Sequence, residues 1–286
     1  MTTDAFHIHP VSPLLGAEIR GLDLSQPLGD ATAAALADAL DRHLVLVFRD
    51  QRIGDADQVR VSRHFGPLDK APITEHGRLH APGFEEVYVI SNVTEGGRPI
   101  GALGAGESVW HADMAYLETP PYASSLYALE VPDEGGNTGF ISMYAAYDAL
   151  PADLRTHVDG LSLKHDSTTN SGGYLRQGYE APVDVTTSPG TVHPLVIRHP
   201  VTGRRALLLG RRPYAYIPGL SVAESEALLD RIWDAAVRPE LAWHHRWRVG
   251  DLVMWDNRWT MHRRDPFPEH LRRRMHRTQI RVPERA

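Results

Sequence analysis

The sequence predicts a mainly β protein with flanking helices, built on a jelly-roll or barrel core. Three observations carry this: many short apolar runs beyond about residue 120, Gly and Pro punctuation between them, and few helical stretches to cover the result. A chain of 286 residues fits one all-β domain. No linker or shift of composition divides it, so a single domain over 1–286 is expected.

Residues 6–24 read as an extended opening segment, with turns signalled at Pro10, Pro13, Gly16 and Gly21. A helix follows from Asp30 to Arg42, where Leu36, Leu40 and Leu44 recur every four positions to form a buried stripe. It runs into Leu44-Val45-Leu46-Val47-Phe48, too short an apolar run for a helix and therefore a buried strand. Residues 55–65 form a second helix, ended by Gly66-Pro67, and Glu86–Val93 is a further strand. Later strands are expected at Tyr122–Val131, Thr138–Ile141, Leu161–His165, His193–Arg198, Ala206–Leu209, Trp243–Val249, Leu252–Trp255 and Arg273–Val282. Helical insertions interrupt them at 142–158 and 222–237. In the second, Ser221 and Glu224 form a capping box, and Leu228, Leu229, Ile232, Trp233 and Ala236 make one apolar face. Residues 166–192 are rich in Ser, Thr, Gly, Tyr and Pro without a period. A loop of that length in a compact domain reads as an active-site lid, or else as a surface insertion.

Composition narrows the function. Hydrophobic residues make up 42% and charged residues 23%, as in chains that bury a core. A formal net charge of -6 argues against a general nucleic-acid or anionic-membrane binder, which would carry an excess of Lys and Arg. No basic start with an apolar run opens the chain, and no stretch nears the roughly 18 apolar residues of a membrane span, so a cytoplasmic location is expected. Cysteine is absent, which excludes disulfides, thiolate zinc, iron–sulfur clusters and a Cys nucleophile. Any metal must rest on His, Asp or Glu.

The run Trp110-His111-Ala112-Asp113 offers two such ligands, because side chains two apart on a strand project to the same side. With 16 His in the chain one such pair is expected by chance, and His157-Val158-Asp159 is a rival. A third ligand candidate is His262, after the strand Leu252–Trp255. Two His and one carboxylate on one face of a metal, the other face open, is the arrangement of non-haem Fe(II) oxygenases. In the last strand Arg273, Met275 and Arg277 share one face and Arg272, Arg274 and His276 the other. If such a face points inward, its guanidiniums need carboxylate-like partners. A solvated basic edge strand and a phosphate-binding arginine patch are the other readings of this stretch.

These motifs, in this order, resemble the taurine dioxygenase and 2,4-dichlorophenoxyacetate dioxygenase family of Fe(II)/2-oxoglutarate oxygenases. They are His111-x-Asp113, Gly135-Gly136-Asn137-Thr138, Trp255-Asp256-Asn257-Arg258 leading to His262, and Arg272-Arg273-x-Met275-His276-Arg277. The likeness extends to Leu15–Leu24 and Phe65-Gly66-Pro67-Leu68, and so covers nearly the whole chain.

The resemblance implies a double-stranded β-helix with Fe(II), 2-oxoglutarate and O2, releasing succinate and CO2. It implies His111, Asp113 and His262 as iron ligands, which selects the first His-x-Asp pair over the second. Arg273 matches the arginine that clamps the distal carboxylate of 2-oxoglutarate, Thr138 a threonine that bonds the same co-substrate, and Arg277 an arginine facing the acidic group of the primary substrate. A homo-oligomer, dimer or tetramer, is also implied.

The formal charges of Fe(II), Asp113, 2-oxoglutarate and Arg273 cancel, which leaves Arg277 over. Its planar fork suits a small organic monoanion, unless a protein carboxylate such as Asp251 or Asp256 takes it. Where taurine enzymes carry a His and a Tyr, this chain has Ala71-Pro72-Ile73-Thr74, and Glu107 replaces an amide-bearing residue before Trp110. These departures favour an aryloxyalkanoate-like acid or a sulfate ester over taurine. Glu107 is expected to face water rather than a cationic substituent, and Tyr116, Tyr214 and Tyr216 to pack in the core or at the surface rather than line the pocket. The competing readings are a biosynthetic hydroxylase or desaturase of an amino-acid-like substrate, and a metal-binding jelly-roll sensor without turnover.

Overall fold

Short strands with one apolar face bury it by stacking sheet on sheet or helix on sheet, and this chain does both. The computed structural model describes residues 6–74, 77–105, 108–210 and 214–283. Its larger sheet runs, in spatial order, His7–Pro10, Ala17–Arg20, Val45–Phe48, Leu252–Asp256, Ala123–Glu130, Arg274–Ile280, Phe84–Ser91 and Ala102–Leu103. Facing it, a smaller sheet runs Ser108–His111, Thr260–Arg264, Thr138–Ser142 and Ala242–His245. From Ala123 onward the chain passes repeatedly between the two, which is the double-stranded β-helix that the resemblance implies. Phe140 from the smaller sheet meets Trp255 from the larger at 5.7 Å between ring centroids, and Val253 and Met275 join the same core.

The strand Val45–Phe48 shows why an unbroken apolar run was needed. Val45 and Val47 belong to the core between the sheets, whereas Leu46 and Phe48 pack outward under helices Asp30–His43 and Asp55–Arg63 with Leu36, Leu40 and Val61. The turn from helix into strand is made by Leu44 alone, which takes φ 65° and donates its N–H to the carbonyl of Leu40 at 2.7 Å. The helix Val222–Ala236 carries the expected capping box, Ser221 N–H donating to Glu224 at 2.9 Å, and buries Leu228, Leu229, Ile232 and Ala236.

Four expectations change. The strand expected over His193–Arg198 is divided between Gly190–Pro194 and Val196–Arg198, which belong to separate two-stranded sheets. The helical insertion at 142–158 is two helices, Met143–Asp148 and Ala152–Val158, because Pro151 cannot continue the first. The strand expected over Trp243–Val249 ends at His245, and Trp247 turns inward to bond Thr138. Thr260–Arg264, read only as the approach to His262, is a full strand. Among the described residues no helix is long and apolar enough to cross a membrane.

Candidate active site

Antiparallel pairing of Ser108–His111 with Thr260–Arg264 places His111 directly opposite His262, with ring centroids 4.3 Å apart. His111 Nδ1–H donates to the carbonyl of Val109 at 2.7 Å, the tautomer that leaves the Nε2 lone pair for a metal. Asp113 lies past the end of the strand, so strand alternation is not what aims it. Asn257 does: the Asp113 N–H donates to Asn257 Oδ1 at 2.6 Å, and Asn257 Nδ2 donates to the Asp113 carbonyl at 2.8 Å. Ser124 Oγ then holds Asp113 Oδ2 at 2.8 Å. This leaves Oδ1 at 3.6 Å from His111 Nε2 and 3.8 Å from His262 Nε2.

One ligand atom from each of the three residues falls within 4.8 Å of the others. Adjacent ligands of an octahedral ion with bonds of about 2.1 Å sit roughly 3 Å apart, so small side-chain shifts would close the triad on a metal. Burial opposes ionisation of Asp113, but the charges of Arg277, His262 and His111 together outweigh it and hold the carboxyl well below its usual range. It is an anion ready to bind a cation. The rival pair His157 and Asp159 is exposed at the end of a helix, with Asp159 paired to Arg205 at 2.7 Å.

Arg273 enters from the larger sheet at the start of the last strand. Its N–H donates to Asn92 Oδ1 at 2.9 Å and its carbonyl accepts from Ser91 Oγ at 2.8 Å. The guanidinium is 2% exposed and makes no hydrogen bond or ion pair with a described residue. Burial, and then the neighbouring charge of Arg264, push its pKa well below the ordinary value. Arginine keeps its proton in proteins, so we take that shift as the unmet demand of a buried cation for an anion. Thr138 Oγ1 accepts from Trp247 Nε1 at 2.9 Å, and its own proton is free to donate. Thr138, Arg264, Arg273 and Arg277 line one cavity together with His111 and His262. The donor set fits a short dicarboxylate held at one end by a cation and at the other by a metal.

Arg277 lies on the same face as Met275, as strand alternation requires, while His276 and Thr278 point the other way to Asp55 and Ser62. Neither Asp251 nor Asp256 reaches Arg277. Asp251 is engaged by Arg49 at 2.5 Å and His245 at 3.0 Å, and Asp256 takes Arg258 through two bonds of 3.0 and 2.6 Å. The partner of Arg277 is Asp113 itself, Nη1 to Oδ1 at 2.9 Å. Asp113 is already in the charge count, so this pairing brings no further negative charge to Arg277.

Asn257, Ser124 and Trp247 were not singled out as site residues from the sequence. Asn257 stands inside a motif that pointed here, but its partner lies 144 residues away. Tyr116 was expected in the core or at the surface rather than at the pocket; it lines a small cavity with His111 and also the open cleft of Lys70 and Ile73, whereas Tyr216 bonds the carbonyl of Leu220. Glu107 lies outside the described residues.

The double glycine before Thr138 has a steric cause. Gly136 takes φ +65°, and an added Cβ would stand 2.9 Å from Pro132 Cγ and 3.3 Å from Arg273 Cδ. Gly136→Ala is therefore expected to cost about 1–2 kcal/mol in backbone strain and to weaken 2-oxoglutarate binding by displacing Arg273. Denaturant unfolding reads the first and calorimetric titration with 2-oxoglutarate the second, and unchanged co-substrate affinity would refute the packing account.

Comparison with known proteins agrees with this geometry. The family model described as taurine catabolism dioxygenase TauD, TfdA family matches residues 7–279. The alpha-ketoglutarate-dependent 2,4-dichlorophenoxyacetate dioxygenase of Cupriavidus pinatubonensis is 35% identical over 276 residues, covering 94% of this chain and 95% of that protein. The (S)-phenoxypropionate/alpha-ketoglutarate-dioxygenase of Sphingobium herbicidovorans is 36% identical, covering 92% and 90%. The solved structure of AAD-2 in complex with Mn(II) and N-oxalylglycine superposes with a TM-score of 0.78 at 30% identity, covering 98% of each chain. The chain belongs to the TauD/TfdA family and is a non-haem Fe(II)/2-oxoglutarate-dependent dioxygenase.

Proposed function

We propose that the protein hydroxylates a small organic acid, an aryloxyalkanoate-like acid before taurine, within one domain spanning 1–286. In this reading His111 Nε2, Asp113 Oδ1 and His262 Nε2 hold the iron. Arg273 and Thr138 hold the distal carboxylate of 2-oxoglutarate, and Arg277 meets the acidic group of the substrate. Bound iron, with 2-oxoglutarate and O2, supplies the oxidising power for attack on a C–H bond, with succinate and CO2 as co-products. The protein contributes position, charge and exclusion of water. Asn257 and Ser124 set the orientation of Asp113, and Trp247 that of the Thr138 hydroxyl.

The observation that carries the reading is a buried His-Asp-His triad whose two imidazoles line one cavity with Arg273, a buried cation that no described acid satisfies. Apolar Pro72, Ile73, Leu103 and Met114 beside Asp113 and Arg277 favour an acid with an apolar body, and two of the relatives above are named for aryloxy acids. The loop 166–192 is the proposed lid. Its near end, Ser171, lines both cavities beside His111 and accepts the Val109 N–H at 3.0 Å. A cytoplasmic homo-oligomer is the assembly this reading carries.

The test is to add Fe(II) and 2-oxoglutarate without oxygen, follow the visible charge-transfer band, then admit O2 and assay succinate. A panel of aryloxy acids, sulfonates and sulfate esters would then be ranked by the succinate each stimulates. A parent with no band and no succinate, indistinguishable from His111→Ala, would end the proposal.

A further inference from the structure

The base of the 166–192 loop carries a guanidinium for which the reading above has no role. Arg176 sits on a tightly tied segment rather than a loose one. A bridge between Thr169 and Leu175, and an Arg176 N–H donated to the Thr168 carbonyl at 2.9 Å, close a turn around Asn170. Asn170 Oδ1 accepts the N–H groups of Gly172 and Tyr174 at 2.9 and 3.0 Å. Asp166 anchors the start of the segment by accepting from the hydroxyls of Thr168 and Thr169.

The side chain is aimed as firmly. Arg176 Nε donates to the Thr169 carbonyl at 3.2 Å and Nη1 to the Tyr116 hydroxyl at 2.6 Å, with the guanidinium 4.3 Å from the Tyr116 ring centroid. Nη2 donates to no described residue, and no described Asp or Glu pairs with Arg176. The charged groups that line the open cleft with it are engaged elsewhere: Lys70 with Glu85 at 2.6 Å, Asp69 with Arg281 at 3.5 Å, and Arg78 with the carbonyl of Ala71.

Placement gives this half-buried cation a meaning. Arg277 lines both the cavity of Arg273 and the cavity beside Asp113. Arg176 lines the cavity beside Asp113 and also the open cleft of about 480 Å³ beyond it. Arg277 and Arg176 thus share the cavity beside Asp113, which joins Arg277 to the cavity of Arg273 and Arg176 to the open cleft, and whose walls include Pro72, Ile73, Leu103 and Met114.

We propose that Arg176 is a second anion-binding residue for the substrate. The preferred substrate is then an acid with an apolar body, bearing one acidic group for Arg277 and a second, carboxylate, sulfonate or sulfate, at its far end for Arg176. The inference rests on the reading of Arg277 as the substrate's inner anchor. Charge-assisted bonds to a guanidinium already oriented by Tyr116 would set this preference through affinity rather than through the chemical step.

The experiment compares phenoxyacetate with 4-carboxyphenoxyacetate by anaerobic calorimetry on the full chain loaded with Fe(II) and 2-oxoglutarate. The parent is expected to bind the dicarboxylate at least about tenfold more tightly, as one charge-assisted bond allows. In Arg176→Gln the two acids should bind alike, and Arg176→Lys should keep part of the preference. Equal affinities in the parent, or a preference that survives in Arg176→Gln, would overturn the proposal. So would equal weakening of both acids by that substitution. Succinate release on admitting O2 separates the two readings: turnover without discrimination removes only the role of Arg176, whereas absence of succinate across the whole substrate panel removes the dioxygenase reading itself.

Discussion

Asp113→Ala is expected to abolish metal binding and succinate formation and to destabilise the metal-free protein by about 3–5 kcal/mol, the cost of stripping one partner from a buried ion pair. Both effects trace to one atom. Asp113 Oδ1 faces the two imidazoles and accepts from Arg277 at 2.9 Å, so its removal takes a ligand from the triad and leaves Arg277 buried without its acid. His111→Ala loses the metal as well but leaves the pair with Arg277 intact, so its cost in stability should be smaller. Denaturant titration of metal-free protein, beside metal binding followed by calorimetry, distinguishes the two variants.

The same carboxylate has a pH signature. Its folded pKa lies well below that of an unfolded aspartate, so the unfolded chain binds the proton more readily. The stability it contributes is present above the unfolded value, about 3.9, and is lost as pH falls from there toward the folded value. Metal-free parent should thus lose stability more steeply than Asp113→Asn below about pH 4. Parallel curves, or an Asp113→Ala protein as stable as the parent, would show that the pair with Arg277 contributes nothing.

Arg273→Met is expected to raise the KM for 2-oxoglutarate by about 30-fold to several thousand-fold, the range that loss of one member of a buried charge pair of about 2–5 kcal/mol produces. The stability of the ligand-free protein should move the other way. Arg273 is fully buried and no described acid meets it, so an apolar side chain of similar length removes a desolvated charge at no loss of a partner. Added 2-oxoglutarate should raise the melting temperature of the loaded parent and leave that of the variant unmoved. A variant with parental KM, or one that unfolds more easily without ligand, would place the co-substrate carboxylate elsewhere.

Arg273 and Arg277 could be assigned to one face before any coordinates because the period of two along a strand is a property of the backbone. The same is true of Val45–Phe48, whose apolar residues serve two cores, and of the capping box at Ser221 and Glu224, which closes within one turn. What escaped was what does not repeat locally. Thr260–Arg264 is a polar strand with no apolar alternation to betray it, yet its register with Ser108–His111 is what brings His262 opposite His111. Asp113 shows the limit most plainly: alternation predicted that it would converge with His111, and it does, but from a turn beyond the strand and held there by Asn257.

By itself the sequence determined the double-stranded β-helix family, the absence of thiol chemistry, the two His and one Asp that form the triad, and which residues of the last strand share a face. These follow from residue identity, short-range periodicity and the order of motifs along the chain. Only the tertiary structure decided the rest: that Asp113 rather than Asp251 or Asp256 meets Arg277, that no described acid meets Arg273, and that Arg176 from a distant loop lines the cavity beside Asp113. Which carboxylate reaches which guanidinium depends on distances across two packed sheets, and such distances appear only when the chain is closed.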